Sequence, residues 1–167
     1  WSSAGFVSLE QYSLWINDND PLRYISSRSD GNWSQNSNWS GSRYPSNYSP
    51  VELRYSNESA KYYSVTLLDS INLKADIEID SLDILNTGYL ELEPNSSLIV
   101  LLDSNIHQGS MSNQGIFNSS NLFIENGIFE NHSNSSVENT LRITKGSLIN
   151  NGFISATTIK ADEANIL

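Results

Sequence analysis

Apolar and polar residues alternate through the second half of the chain, and the alternation itself repeats. LFIENGIFEN, starting at Leu122, and LRITKGSLIN, starting at Leu141, superpose as Φ-x-Φ-x-x-G-x-Φ-x-N, where Φ is apolar. Leu122, Ile124, Gly127, Phe129 and Asn131 fall on Leu141, Ile143, Gly146, Leu148 and Asn150, about 19 positions on. The Gly-x-Φ unit recurs as Gly88-Tyr89-Leu90, Gly109-Ser110-Met111, Gly127-Ile128-Phe129 and Gly146-Ser147-Leu148, at steps of about 21, 18 and 19 residues. A second comparison is independent of the first. Gly109 to Phe117 matches Gly146 to Ile154 at Gly, Ser, apolar, Asn and Gly positions. Val65-Thr66-Leu67 and Ile77-Glu78-Ile79 alternate with period two, as half-buried strands do.

A self-similar unit of this length predicts a stack of β-coils. About 19 residues at about 3.3 Å each make two or three short strands with their turns. Coils about 4.8 Å apart pair their backbones in parallel, and each completes its apolar core only against its neighbours. Gly88, Gly109, Gly127 and Gly146 are expected to supply a corner at positive φ. Asn113, Asn131 and Asn150, each four positions after its glycine, are expected to stack as an amide ladder along the axis. A polar binding line is the other reading of the same residues. The ladder ends upstream, where Leu92 takes the position. The run Leu98 to Leu102 reads as a strand buried on both faces.

The first 60 residues differ. They hold all four tryptophans, three of the four prolines and most of the tyrosines. Leu9–Ile16 reads as a short strand or one amphipathic turn. Asn17 to Pro21 is a turn on side-chain chemistry, with a calcium loop as the alternative. Two Asn-Trp-Ser tripeptides place Trp33 and Trp39 six apart, an even spacing that puts both indoles on one face of an extended segment. Such a pair can plug the open end of a coil stack or form a sugar-stacking platform, and the need to cover that end favours the plug.

Composition narrows the picture. Nineteen acidic against nine basic residues give a net charge of −10, which disfavours nucleic acid and anionic membrane surfaces. There is no cysteine, so no disulfide or thiolate metal site is possible. No apolar run approaches the roughly 20 residues of a membrane helix, so no membrane insertion is expected. Eight Asn-x-Ser acceptor tripeptides, at Asn32, Asn38, Asn47, Asn57, Asn95, Asn118, Asn131 and Asn134, read as chance in an Asn/Ser-rich chain.

The Gly31 to Gly41 segment (GNWS…NWSG), Pro45, the strand Tyr63-Ser64-Val65-Thr66-Leu67 and the unit Ser81-Leu82-Asp83-Ile84 resemble the start of passenger β-helices in bacterial autotransporters and related surface proteins. The resemblance covers most of the chain from Gly31 on. It implies secretion and a right-handed parallel β-helix. It implies no particular catalytic residues. The 167 residues do not include the C-terminal membrane barrel that such proteins carry.

Candidate chemistry is sparse. The two histidines, His107 and His132, lack the third and fourth ligands a metal site needs. No G-x-S-x-G elbow occurs. Asp69, Asp76, Asp80 and Asp83 cluster near the first coils; paired carboxylates can cleave glycosides, but turn-forming and solubilising roles are the commoner use.

The sequence thus predicts an all-β, right-handed parallel β-helix of about 18–21 residues per coil. Residues 1–60 are expected to form an aromatic cap, and 61–167 one continuous solenoid that goes on in the native protein. The expected role is an extracellular structural or adhesive solenoid of a secreted or surface-displayed bacterial passenger, without catalytic residues, metal or cofactor. Its expected partners are a surface glycan or protein, or a second copy met through the last coil. The alternatives are a carbohydrate-binding or carbohydrate-cleaving β-helix, with Trp33 and Trp39 as the platform, and a filament subunit.

Overall fold

A computed structural model describes residues 23–40, 44–45 and 63–167. The Leu9–Ile16 element, the Asn17–Pro21 turn with its calcium alternative, and the acceptor tripeptides at Asn47 and Asn57 lie outside the described residues.

Fifteen strands and one 3-10 turn make up the described chain: β1 (Arg23–Ser26), β2 (Gly31–Asn32), the turn Asn36–Asn38, β3 (Tyr63–Leu67), β4 (Ser70–Leu73), β5 (Asp76–Ile79), β6 (Ser81–Leu85), β7 (Tyr89–Leu92), β8 (Ser97–His107), β9 (Ser110–Asn113), β10 (Ile116–Glu125), β11 (Ile128–Asn131), β12 (Asn134–Thr144), β13 (Ser147–Asn150), β14 (Phe153–Asp162) and β15 (Asn165–Ile166). They form two sheets. One runs β1-β3-β6-β8-β10-β12-β14, with β5 also on β8; the other runs β2-β4-β7-β9-β11-β13-β15. Neighbours in each order come from successive coils and pair in parallel. The result is an all-β solenoid of about 5 turns. β1 and β2, from the aromatic segment, add a parallel strand to each sheet.

Each coil contributes one short strand to the second sheet and one long strand to the first. The long strands bend where their register shifts, between Ser119 and Asn121 in β10 and between Val137 and Thr140 in β12. In the first coils the same path is split into β5 and β6. Alternate residues point inward, so equivalent positions stack in columns. Leu67, Ile84, Ile106, Ile124 and Ile143 form one; Ile71, Leu90, Met111, Phe129 and Leu148 form another. All ten are buried. Each such side chain contributes about 1.5–3 kcal/mol when fully removed from water, which is why a coil with few inward residues stands only in a stack.

Two expectations are corrected. The run Leu98 to Leu102 is not buried on both faces. Leu98 and Val100 point inward, but Leu101 and Leu102 are 37% and 56% exposed, at the bend where the strand turns its face. The recurring glycines do not carry positive φ either. Asn86, Gln108, Asn126 and Lys145 do, at 55°, 63°, 52° and 54°, one or two positions before Gly88, Gly109, Gly127 and Gly146. The glycines are required by proximity instead. A Cβ on Gly109 would lie 2.8 Å from the Gly88 carbonyl oxygen, one on Gly127 2.8 Å from that of Gly109, and one on Gly146 2.9 Å from that of Gly127. These carbonyls accept from the next coil, as in Ile128 N–H to Gly109 O at 3.0 Å. The glycine column keeps the stacked corners free of side-chain crowding; Ala164 occupies the same place in the last coil, where Asn165 N–H still reaches Gly146 O at 3.0 Å, so that last corner takes a methyl group.

Candidate functional site

Two regions were singled out by sequence: the tryptophan pair and the asparagine column. The structure places them at different levels of the stack.

Trp33 follows β2, and its backbone N–H donates to Asn72 O at 2.9 Å, on the strand that β2 pairs with. The 3-10 turn at Asn36–Asn38 then reverses the chain, so Trp39 returns onto Trp33. Their ring centroids are 4.9 Å apart with planes at 64°. Trp39 Nε1–H donates to Trp33 O and Trp33 Nε1–H donates to Pro45 O, both at 2.7 Å. The rings are 0% and 1% exposed and belong to the apolar core. This corrects the stacking-platform reading. A sugar needs an open ring face, and these indoles meet edge to face inside the protein with both N–H groups satisfied. The even spacing misled because the segment between them is a turn rather than a strand.

The same end is tied by polar contacts. Ser27 Oγ accepts from Leu68 N–H at 2.8 Å and donates to Asp69 Oδ2 at 2.8 Å. Asn38 is buried, with its Nδ2 donating to Asn32 O at 3.1 Å and its Oδ1 accepting from Ser29 Oγ at 3.1 Å. Asn38 and Asn131, two of the acceptor tripeptide asparagines, are therefore inside the fold.

The register brings Asn113, Asn131 and Asn150 into one column, above Leu92 and Leu73. Asn113 Nδ2 donates to Asn131 Oδ1, and Asn131 Nδ2 to Asn150 Oδ1, each at 2.8 Å. Each amide also serves its own corner. Asn113 Oδ1 accepts from Gly115 N–H at 3.1 Å, and Asn131 Nδ2 donates to Ser133 O at 3.0 Å. Asn113 and Asn131 are 0% exposed, so this part of the column lines the inside of a corner and offers no surface for a ligand, while Asn150, at the last corner, is exposed.

Sequence reasoning missed three serines that complete the buried polar set. Ser135 Oγ donates to Asn131 Oδ1 at 2.8 Å and accepts from Asn113 Nδ2 at 3.0 Å. It sits where the previous coil has Phe117, and that exchange of a large apolar residue for a serine beside the ladder is the signal. Ser104 and Ser119 lie 2.9 Å apart in the core. Ser119 gives its proton to Asn121 O at 2.6 Å, so Ser104 is the donor of the pair. Among the described residues no buried side-chain nitrogen or oxygen lacks a partner.

The acidic residues do not converge. Asp69, in the bend between β3 and β4, is held by Ser27, Asp76 Oδ1 on β5 accepts from Ser97 Oγ at 2.7 Å, and Asp83 Oδ1 on β6 accepts from Asn105 Nδ2 at 2.8 Å. His107 Nδ1 pairs with Glu125 Oε2 on the next coil at 3.1 Å, and His132 Nε2 lies 3.5 Å from Glu130 Oε2. Among the described residues no three or more His, Asp or Glu side chains are grouped to hold a metal ion. On the outer face of β7, burial pushes the Tyr89 hydroxyl pKa up. A hydrogen bond to Ser112 works against that, and the charges of Glu91 and Glu130 add to it. Among the described residues no helix is long and apolar enough to cross a membrane.

No family model, curated protein or solved structure matches the chain. Its architecture, parallel coils stacked into a solenoid, is compatible with a β-helix repeat protein.

Proposed function

We propose that the chain works as an extracellular structural or adhesive β-solenoid, part of a secreted or surface-displayed passenger of the bacterial autotransporter type. One observation carries this reading: the buried polar side chains of the repeat bind coil to coil. The Asn113–Asn131–Asn150 column is the clearest case. A chain built this way gains stability by adding coils one after another. It contains no cysteine and needs no disulfide to close. Both properties suit a protein that crosses an envelope unfolded and assembles outside, where it holds a binding surface away from the cell. The acidic net charge of −10 keeps such a surface soluble and away from anionic lipid. No enzymatic step is part of the proposal.

The test is to place the 167 residues between a signal peptide and an outer-membrane translocator. The expected result is a protease-accessible, β-rich passenger at the cell surface, and retention in the periplasm would oppose it. Coated beads exposed to glycan arrays and to cells then separate an adhesive from a purely structural role.

One observation favours self-association as a second reading. β14 and β15 each pair with one neighbour, and Ile159 and Ile166, which continue inward columns, are 57% and 52% exposed. A further coil fits there, whichever chain supplies it. Light scattering across a concentration series tests this in the 167-residue protein, and a constant monomer mass counts against it.

A further inference from the structure

Asn-Gly pairs are chemically special because a glycine nitrogen approaches the preceding side-chain amide without a Cβ in the way. The described solenoid contains two, Asn126-Gly127 and Asn151-Gly152, and their settings differ. Asn126 is held at φ 52°, its N–H bonded to Thr144 O at 3.0 Å, and Gly127 is buried between the Gly109 and Gly146 corners. Asn151 also gives its N–H to the neighbouring coil, to Asn131 O at 2.7 Å, so the two sites differ elsewhere: Asn151 and Gly152 are both exposed, at the bend between β13 and β14, and Asn151 has no positive φ. The Gly152 N–H makes a long bond, 3.3 Å to Asn150 Oδ1. Asn151 Nδ2 lies 3.4 Å from His132 Nδ1.

We infer that Asn151 is a self-modification site, where the side-chain amide is lost to attack by the Gly152 nitrogen. The Gly152 nitrogen gives its proton to solvent and bonds to Asn151 Cγ. The Cγ–Nδ2 bond breaks, and the nitrogen leaves as ammonia after taking up a proton. The resulting five-membered imide is opened by water at either carbonyl, giving aspartate or isoaspartate. Nothing is oxidised or reduced.

The consequence is structural. Isoaspartate adds a methylene to the backbone immediately before Gly152, which is packed against the Ser133 backbone too closely to admit even a Cβ. The next residue, Phe153, donates its N–H to Ser133 O at 2.9 Å and begins the pairing of β14 on β12. The reaction therefore acts as a clock that loosens β14 and leaves the coils below it intact.

The intact 167-residue protein, aged at mildly alkaline pH and mapped by peptide mass spectrometry, tests this. The expected outcome is the amide-to-acid mass change, largely as isoaspartate, at Asn151 severalfold faster than at Asn126. In strong denaturant the two rates should become similar, and Asn151→Gln should remove the fast event while keeping the β-rich circular dichroism. Hydrogen exchange of the aged fraction should rise over Phe153–Asp162. No change at Asn151, equal rates at the two sites in the folded protein, or a modified fraction with unaltered exchange over β14 would overturn the inference.

Discussion

Asn113 and Asn131 stand 18 residues apart in the chain, yet the Nδ2 of the first donates to the Oδ1 of the second at 2.8 Å with both side chains fully buried. The contact sets the register of β9 on β11 and ties each corner to the next. Asn131→Ala removes the acceptor of the buried Ser135 hydroxyl, one of the three acceptors of the Asn113 amide, and the donor to the exposed Asn150 carbonyl. The expected loss is about 1–3 kcal/mol for each buried group left unsatisfied, read as a lower denaturant midpoint. Converting Asn113 and Asn131 together to Leu, the residue already at position 92, should cost less than the sum of the two single changes to Leu, because the groups that need one another leave together. Additive losses would show that the column is not a coupled unit.

Gly127→Ala is expected to destabilise by about 1–3 kcal/mol, the usual range for forced overpacking. Its Cβ would stand 2.7 Å from Ile106 Cγ2 and 2.8 Å from Gly109 O. Asn126→Gly, by contrast, should be tolerated or mildly stabilising, since residue 126 is the one at positive φ. Thermal melts of the two variants decide the matter, and the reverse ranking would return the strained position to the glycine.

Trp39→Ala should cost about 3–5 kcal/mol, as for other large buried aromatics. Trp39 is 0% exposed and its Nε1–H holds the Trp33 carbonyl. Wild-type tryptophan fluorescence should include a blue-shifted, poorly quenched component that Trp39→Ala reduces. A variant with unchanged stability would mean that the indole lies at the surface after all.

Tyr89 supplies a pH test. Its folded pKa is raised above the ordinary value of 10.0, chiefly by burial. The neutral phenol is therefore favoured in the folded state, and its stabilising share is fully present below about pH 10. That share fades as pH rises through the folded value. Denaturation followed from pH 9 to 11 should show a decline that is shallower in Tyr89→Phe. Identical slopes would leave the shift without a role in stability.

Much of the fold was legible in the chain because stacking copies the same demand onto every coil. Gly127 and Gly146 face the same crowding, and Leu122 and Leu141 fill the same column, so the requirement appears as a repeat. The column Asn113, Asn131 and Asn150 could be read for the same reason. What could not be read lies where one residue breaks the pattern. Ser104 replaces an apolar residue between Leu82 and Leu122, and its partner Ser119 comes from the other half of a bent strand, a pairing with no periodic trace. Leu101 and Leu102 looked like core because a bend that turns side chains outward has the same composition as a buried run. Trp33 and Trp39 show the limit most clearly: even spacing implies a shared face only in an extended segment, and a 3-10 turn intervenes.

Successive coils lie in register in a parallel stack, and the absence of native cysteine makes that register directly measurable. Phe123 and Arg142 are register partners on adjacent coils, and Lys160 is the partner of Arg142 one coil further. Phe123→Cys with Arg142→Cys brings two thiols within the roughly 4.4–6.8 Å Cα separation that a disulfide requires, whereas Phe123→Cys with Lys160→Cys spans two coil spacings, about 9.6 Å. Under mild oxidation the first pair should cross-link rapidly within one molecule and the second pair should not. Cross-linking of the second pair at an equal rate, or failure of the first in a folded protein, would contradict that register.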